Sequence, residues 1–227
     1  MNSLPPVILW AWERPEDLTF LDPERYGVAF LAQTLILNGD DVVFRPRRQP
    51  LKVSPATKLI AVTRIESSKI TGTGAALSNA QIAKLVSLVL HTQQLENVVA
   101  VQIDFDVTKS ERSFYRQLLE KLRLNLPQHV PLSMTALASF CVGDRWLDGL
   151  PVDEVVPMIF RMGLDNEKIR NLIAAGNDFR EPLCRTSYGV ALDEPVTVRF
   201  AEARRLYVFN NRSWVGEDVW NLKVRAN

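Results

Sequence analysis

Histidine and cysteine are scarce, two of each among 227 residues, and their scarcity narrows the chemistry open to this chain. His91 closes a helical pattern, where a cation suits the negative end of the helix dipole, and His129 sits in a Pro-flanked turn. That distribution excludes a barrel hydrolase with several histidines around a metal, and it removes a Ser-His-Asp triad. Cys141 and Cys184 lack metal-type spacing; one follows a strand-like run and the other begins one, which in a barrel puts them at opposite ends, so no disulfide is expected. No apolar run approaches the ~20 residues of a membrane span. The opening MNSLPPVILWAWE lacks the basic start, apolar core and cleavage site of a signal peptide, so the expectation is a soluble chain, periplasmic or secreted only if a presequence was removed. Charge of one sign is also missing. The formal net charge is +1, which leaves no electrostatic footprint for nucleic acid, and the short basic cluster Arg45, Arg47 and Arg48, interrupted by Pro46, reads as a solvated loop.

Apolar content is not lacking. At 47% hydrophobic the chain can bury a core of full domain size, and with no internal repeat, low-complexity tract or linker, residues 1–227 are expected to form one domain. Strand-like runs recur at Val7–Trp12, Val28–Leu37, Leu59–Ile65, Val98–Phe105, Leu132–Leu137, Val155–Phe160, Cys184–Val190 and Leu206–Phe209. Helical patterns lie between several of them. Ser78 with Gln81 forms a capping box ahead of Ile82, Leu85, Val86 and Val89; Phe114, Tyr115, Leu118, Leu119 and Leu122 form one stripe after Ser110. Asp165 begins a third helix that stops at Gly176, and Pro195 opens a fourth over 196–203. The stretch Asn38–Lys52, with Gly39, Asp40, Pro46 and Pro50, reads as an irregular excursion, and Cys141–Leu150 has room for barely two helical turns. Alternation of this kind calls for a parallel sheet, and eight strands in ~230 residues favour a compact (β/α)8 TIM-type barrel with some short or irregular helices.

The most informative segment is Val98–Asp106, VVAVQIDFD. Side chains alternate along a strand, so Ala100, Gln102, Asp104 and Asp106 share one face while Val99, Val101, Ile103 and Phe105 share the other. An apolar face toward helices and a lumen face turning acidic at the carboxyl end suit a barrel strand that opens into a site. Two carboxylates crowded there should raise the proton affinity of one of them, which makes Asp104 and Asp106 the candidate catalytic pair. The competing reading pairs one with Arg64 or Arg161 and makes the other a helix cap. The carboxyl ends of the other strands supply Trp12, Glu13, Arg64, Glu66, Arg161, Tyr188 and Asn210 as candidate ligand-binding residues. Carboxylates, arginines, amides and aromatics in this mixture suit a carbohydrate or another polar small molecule. Glu194, in the Asp193-Glu194-Pro195 helix start, is a further acid that would either face the pair across the mouth or serve the helix dipole. No cofactor is expected, and a Mg²⁺ or Ca²⁺ site on the two aspartates finds no further ligand cluster in the sequence.

The combination of WAWERP, QIDFD, LSMTALASF, PMIFRMG and GVALDEP, from about Val7 to Trp214, resembles the bacterial family DUF3142, which is grouped with glycoside-hydrolase-like TIM barrels. The resemblance implies the barrel and carries no assigned activity. A wider likeness is to chitinase-type barrels, whose fourth strand ends D-x-D-x-E with the final Glu as proton donor. Asp104 and Asp106 match the two aspartates, while Thr108 stands at the third position. The expectation is therefore a glycoside-hydrolase-like barrel in which Glu66, Glu13 or Glu194 supplies the missing acid, or else a catalytically silent barrel that binds a glycan or peptide.

Overall fold

The structure, a computed structural model, describes residues 4–67, 74–194, 201 and 203–225. In chain order its elements are β1 (Val7–Ala11), β2 (Glu16–Asp17), β3 (Tyr26–Asn38), β4 (Asp41–Pro46), β5 (Leu51–Lys52), β6 (Leu59–Ser67), α1 (Asn79–Gln93), β7 (Val98–Phe105), α2 (Arg112–Asn125), β8 (Leu132–Leu137), α3 (Phe140–Gly143), β9 (Glu154–Met158), α4 (Asn166–Ala174), β10 (Ser187–Ala191), β11 (Arg205–Phe209) and α5 (Gly216–Arg225). Strands β1, β3, β6, β7, β8, β9, β10 and β11 pair in parallel in that order, and β11 pairs back onto β1, so the sheet closes into an eight-stranded barrel. These are the eight runs read from the sequence.

Strand parity divides the core in two. Ile8 and Trp10, Ala29, Ile60 and Val62, Ala100, Val156 and Tyr207 pack together inside the barrel. The alternate residues, such as Val101, Ile103 and Phe105 of β7, face the helices, where α1 buries Ile82, Leu85, Val86 and Val89 and α2 buries Phe114, Tyr115, Leu118, Leu119 and Leu122. The capping box of α1 is present in both directions, Gln81 N–H to Ser78 Oγ and Ser78 N–H to Gln81 Oε1. A 3₁₀ turn, Gly163–Asp165, leads into α4, and the chain leaves that helix through Gly176 at φ +77°. The helix expected over 196–203 falls almost entirely outside the described residues. No helix among the described residues is long and apolar enough to cross a membrane.

Two local expectations are corrected, and one helix was not foreseen. Asn38–Lys52 is ordered: β3 runs past the rim of β1, turns through Gly39 and Asp40, and returns as β4, antiparallel, with Asn38 opposite Asp41 and Gln33 opposite Pro46. The two-residue turn has Gly39 at φ +54°, and Val42 is the apolar anchor of the returning strand, buried in the outer layer with Leu37 and the apolar face of α1. Helix α5 was not anticipated; it sets Val219 and Leu222 against the outer face of β1 and β3.

Cys141 and Cys184 form a disulfide, with Cα atoms 6.0 Å apart and both residues fully buried. Strand ends misled the sequence reading, because Cys184 belongs not to β10 but to a 3₁₀ turn, Pro182–Arg185, packed along β9 in the outer layer, and Cys141 lies in the short α3 in that same layer. The backbone N–H groups of Arg180 and Glu181 both donate to the Cys141 carbonyl, which ties the two segments together independently. Reduction should therefore weaken the fold while leaving its topology intact. Closing a loop between residues 43 apart is worth about 4 kcal/mol in the chain-entropy account. Urea unfolding with and without a reductant should show a lower midpoint in the reduced chain, and an unchanged midpoint would argue against the bond.

Candidate functional site

Parity and register build the site. On β7 the lumen face reads Ala100, Gln102, Asp104, as the alternation predicts, and each polar member is met by side chains of other strands, beside it or across the lumen. Gln102 Oε1 accepts from Trp10 Nε1 at 3.0 Å, and Gln102 Nε2 donates to Ser133 Oγ at 3.2 Å. One layer higher, Asp104 lies in register with Arg64 of β6. Arg64 Nη1 donates to Asp104 Oδ2 at 3.0 Å, Thr135 Oγ1 of β8 donates to Asp104 Oδ1 at 2.7 Å, and Arg64 Nε donates to Glu66 Oε1 at 2.8 Å. The Arg64 guanidinium also stands 5.6 Å from the centre of the Trp12 ring.

The two aspartates thus have different surroundings. The Asp104 side chain is 7% exposed and doubly bonded, whereas Asp106 is 54% exposed and its oxygen stands 3.9 Å from Arg64. Burial pushes the Asp104 carboxyl above the ordinary carboxylate range with help from the Asp106 charge, against the opposing pull of Arg64 and Thr135. For Arg64, burial alone would weaken proton binding, but Asp104, Glu66 and Asp106 outweigh it and hold the guanidinium more firmly charged. Both readings of the acidic pair are thereby partly realised, with Asp104 paired to Arg64 and Asp106 open to the cleft. The helix cap belongs to Thr108, whose N–H and hydroxyl both donate to Glu111 Oε2 at 2.7 Å.

Above this layer opens a cleft of about 890 Å³, large for a small-ligand site. Its floor is apolar: Trp10, Val62, Met158, Phe160 and Phe209, with the Phe160 and Phe209 rings stacked at 5.6 Å and 10°. One wall carries Arg64, Glu66, Asp104, Asp106 and Thr135; the hairpin contributes Thr34, Arg45, Pro46 and Arg48, and Trp12, Glu13 and Arg161 complete the lining. Arg161 has φ +52°, an unusual conformation for a residue with a side chain, and its N–H donates to Glu194 Oε2 at 2.9 Å. Its guanidinium lies 5.0 Å from the centre of the Phe209 ring.

Seven of the nine candidate residues, Trp12, Glu13, Arg64, Glu66, Asp104, Asp106 and Arg161, therefore line one cleft. Tyr188 does not. It occupies the outward parity of β10, packed on Phe179 with its hydroxyl accepting from Arg204 at 2.8 Å, while Gly189 takes the inward position, where an added Cβ would stand 3.3 Å from Trp10. Asn210 is also misplaced: it is buried and donates to Asp218 of α5 at 3.2 Å, lining a separate cavity of about 230 Å³. Glu194 is engaged by Arg161 N–H and by Arg170 at 2.9 Å, and it is absent from the cleft lining. The hairpin arginines were missed as site residues, because only the paired geometry of β3 and β4 raises that segment over the mouth. Among the described residues no three His, Cys, Asp or Glu side chains gather as a metal-binding group.

The fold and this cleft define an α/β barrel with an acidic, aromatic-floored mouth. No protein-family model matches the chain. A GTP 3′,8-cyclase from Cyanothece sp. is 21% identical over 207 residues, covering 89% of this chain and 58% of that protein, so the chain spans less than two thirds of its length. Among solved structures, a family GH18 chitinase from Chromobacterium violaceum is similar at a TM-score of 0.56 and 11% identity, over 92% of this chain and 79% of that one. The Bacillus cereus spore cortex-lytic enzyme SleL is similar at a TM-score of 0.51 and 16% identity, over 84% and 52%. These likenesses show the TIM-barrel fold.

Two measurements test the Asp104 layer. Asp104→Ala leaves Arg64 and Thr135 without their partner, and a loss on the order of 2 kcal/mol is expected, below the ~3–5 of a fully buried pair because Arg64 is partly exposed. Burial makes the folded chain hold the Asp104 proton in a window above the ordinary value of 3.8, where the unfolded chain has released it, so this group's contribution is fullest in acid and declines as pH rises through that window. Thermal denaturation of Asp104→Asn, which cannot ionise, should gain on the parent as pH is raised from about 4 to 7; a constant difference would contradict burial as the dominant influence.

Proposed function

We propose that the cleft binds a carbohydrate and that a glycosidic bond is cleaved there, with Asp106 as the general acid or base. The observation that carries this reading is the half-exposed Asp106 carboxylate at the rim of an aromatic floor, directly above a buried Asp104 clamped by Arg64 and Thr135. Aromatic faces pack on sugar rings, and carboxylates and guanidinium groups bond hydroxyls. Asp104 serves as a positioning residue by holding Arg64, whose Nη2 stands 3.9 Å from Asp106, since its own oxygens are occupied. The barrel-sharing chitinase and spore cortex-lytic enzyme support the carbohydrate class, and the motifs WAWERP, QIDFD, LSMTALASF, PMIFRMG and GVALDEP support placing the chain with DUF3142.

The chitinase-type proton donor has no counterpart, because Thr108 is spent as a cap for the turn at Lys109–Glu111. A second carboxylate in the same cleft must take that part, and besides the occupied Asp104 the lining holds Glu66 and Glu13. Glu66 accepts from Arg64 Nε at 2.8 Å, and Glu13 accepts from the Arg48 N–H at 3.0 Å. The missing donor at Thr108 is also the observation that favours a second reading, a barrel that binds a glycan without cleaving it.

Product analysis by mass spectrometry over a panel of cell-wall and exopolysaccharide oligosaccharides separates the two. Asp106→Asn should lower turnover about a hundredfold or more while binding persists, and its exposure predicts a stability change within about 0.5 kcal/mol. Glu66→Gln and Glu13→Gln identify the partner acid by which one matches that loss. Binding without products in the parent chain would establish the silent reading, and no binding of any sugar would overturn both.

A further inference from the structure

The segment Arg45-Pro46-Arg47-Arg48 divides its three arginines between two tasks. Arg47 turns inward and pins the hairpin to the loop after β1, donating to the carbonyl oxygens of Trp12 at 2.6 Å and Arg14 at 2.7 Å, and burial lowers its proton affinity. Arg45 and Arg48 flank it, exposed, and both line the cleft. Among the described residues neither has a carboxylate within ion-pair distance. The nearest acid in the lining, Glu13, meets Arg48 through the backbone N–H. Arg161 adds a third guanidinium, half-exposed over the floor ring Phe209 and, among the described residues, ion-paired with Asp193 at 3.6 Å.

Charge in the cleft is consequently segregated. Glu66, Asp104 and Asp106 surround Arg64 on the β6–β7 wall, leaving that wall negative, whereas Arg45 and Arg48 enter from the hairpin on the β3 side with Glu13 as the lining acid there, and Arg161, after β9 on the far side, has Asp193. A concave wall with unpaired guanidinium groups focuses a positive field, and the planar fork of arginine matches a carboxylate or phosphate. The stacked Phe160 and Phe209 beside Arg161 supply the face for a ring.

We infer that the ligand of this cleft is an anionic saccharide, its carboxylate or phosphate seated on Arg45 and Arg48, and its rings lying over the aromatic floor beside Arg161. The inference rests on the carbohydrate reading above and specifies its substrate class.

Isothermal titration with tetragalacturonate, galactose 6-phosphate and the neutral galactotetraose, on the parent chain and on Arg45→Gln/Arg48→Gln, tests it. At least one anionic probe should bind about tenfold or more tightly than the neutral one, as charge-assisted hydrogen bonds would provide, and the double variant should abolish that advantage. Raising salt should weaken the anionic probe and spare the neutral one. Which anionic probe prevails distinguishes carboxylate from phosphate. Equal affinity for galactotetraose, an advantage that survives in the double variant, or no binding of either anionic probe overturns the anion subsite. Cleavage or binding of neutral glycans in the oligosaccharide panel would then leave the carbohydrate reading standing, so the two failures are distinguishable.

Discussion

Closing eight parallel strands into a ring obliges every inward polar side chain to find its partner on another strand, beside it or across the lumen. That constraint is met most fully at Asp104, which joins β6 and β8 through Arg64 and Thr135. One layer lower, Gln102 does the same for Trp10 and Ser133, and toward the amino-terminal end Glu154 accepts from Arg205 and Tyr207, both at 2.6 Å. The lumen is a stack of cross-strand polar contacts set among apolar side chains, and an acid within it is expensive unless paired. Asp104 meets that cost through Arg64, Thr135 and a raised proton affinity; Asp106, two residues on, has cleared the rim and is exposed.

The mouth is shaped by one strand that outlasts its neighbour. β3 pairs with β1 only through Phe30, whereas it continues beside β6 to Leu37, and the freed edge is taken by β4. The hairpin so formed stands over the barrel, held down by Arg47, and gives the cleft a wall that an ordinary βα loop would not supply. It places basic residues in the same mouth as the acidic ends of β6 and β7, one strand removed from β6. The electrostatic character of the site therefore comes from a supersecondary feature, while its acids come from the strand pattern.

Much of this was legible in order. The alternation in Val98–Asp106 identified the lumen face, the capping box at Ser78 marked a helix start, and the recurrence of apolar runs located all eight barrel strands. Tyr188 and Asn210 were misread for a shared reason: a polar residue near a strand end was taken to point at the mouth without its parity being known. Gly189 settles β10, since only an inward glycine leaves room for Trp10, and the unforeseen α5 draws Asn210 aside. The disulfide was misjudged because the connection before β10 runs along the outer layer at the level of α3.

The sequence by itself determined the barrel and its acidic strand end, because hydrophobic periodicity is local and a strand's two faces are written in alternate residues. Only the tertiary structure decided which acid is buried and which is free, that Arg45 and Arg48 belong to the site, and that two cysteines 43 residues apart meet. Those outcomes depend on strand register, strand overrun and the path of connections, which arise from packing between segments far apart in the chain and leave no period to read.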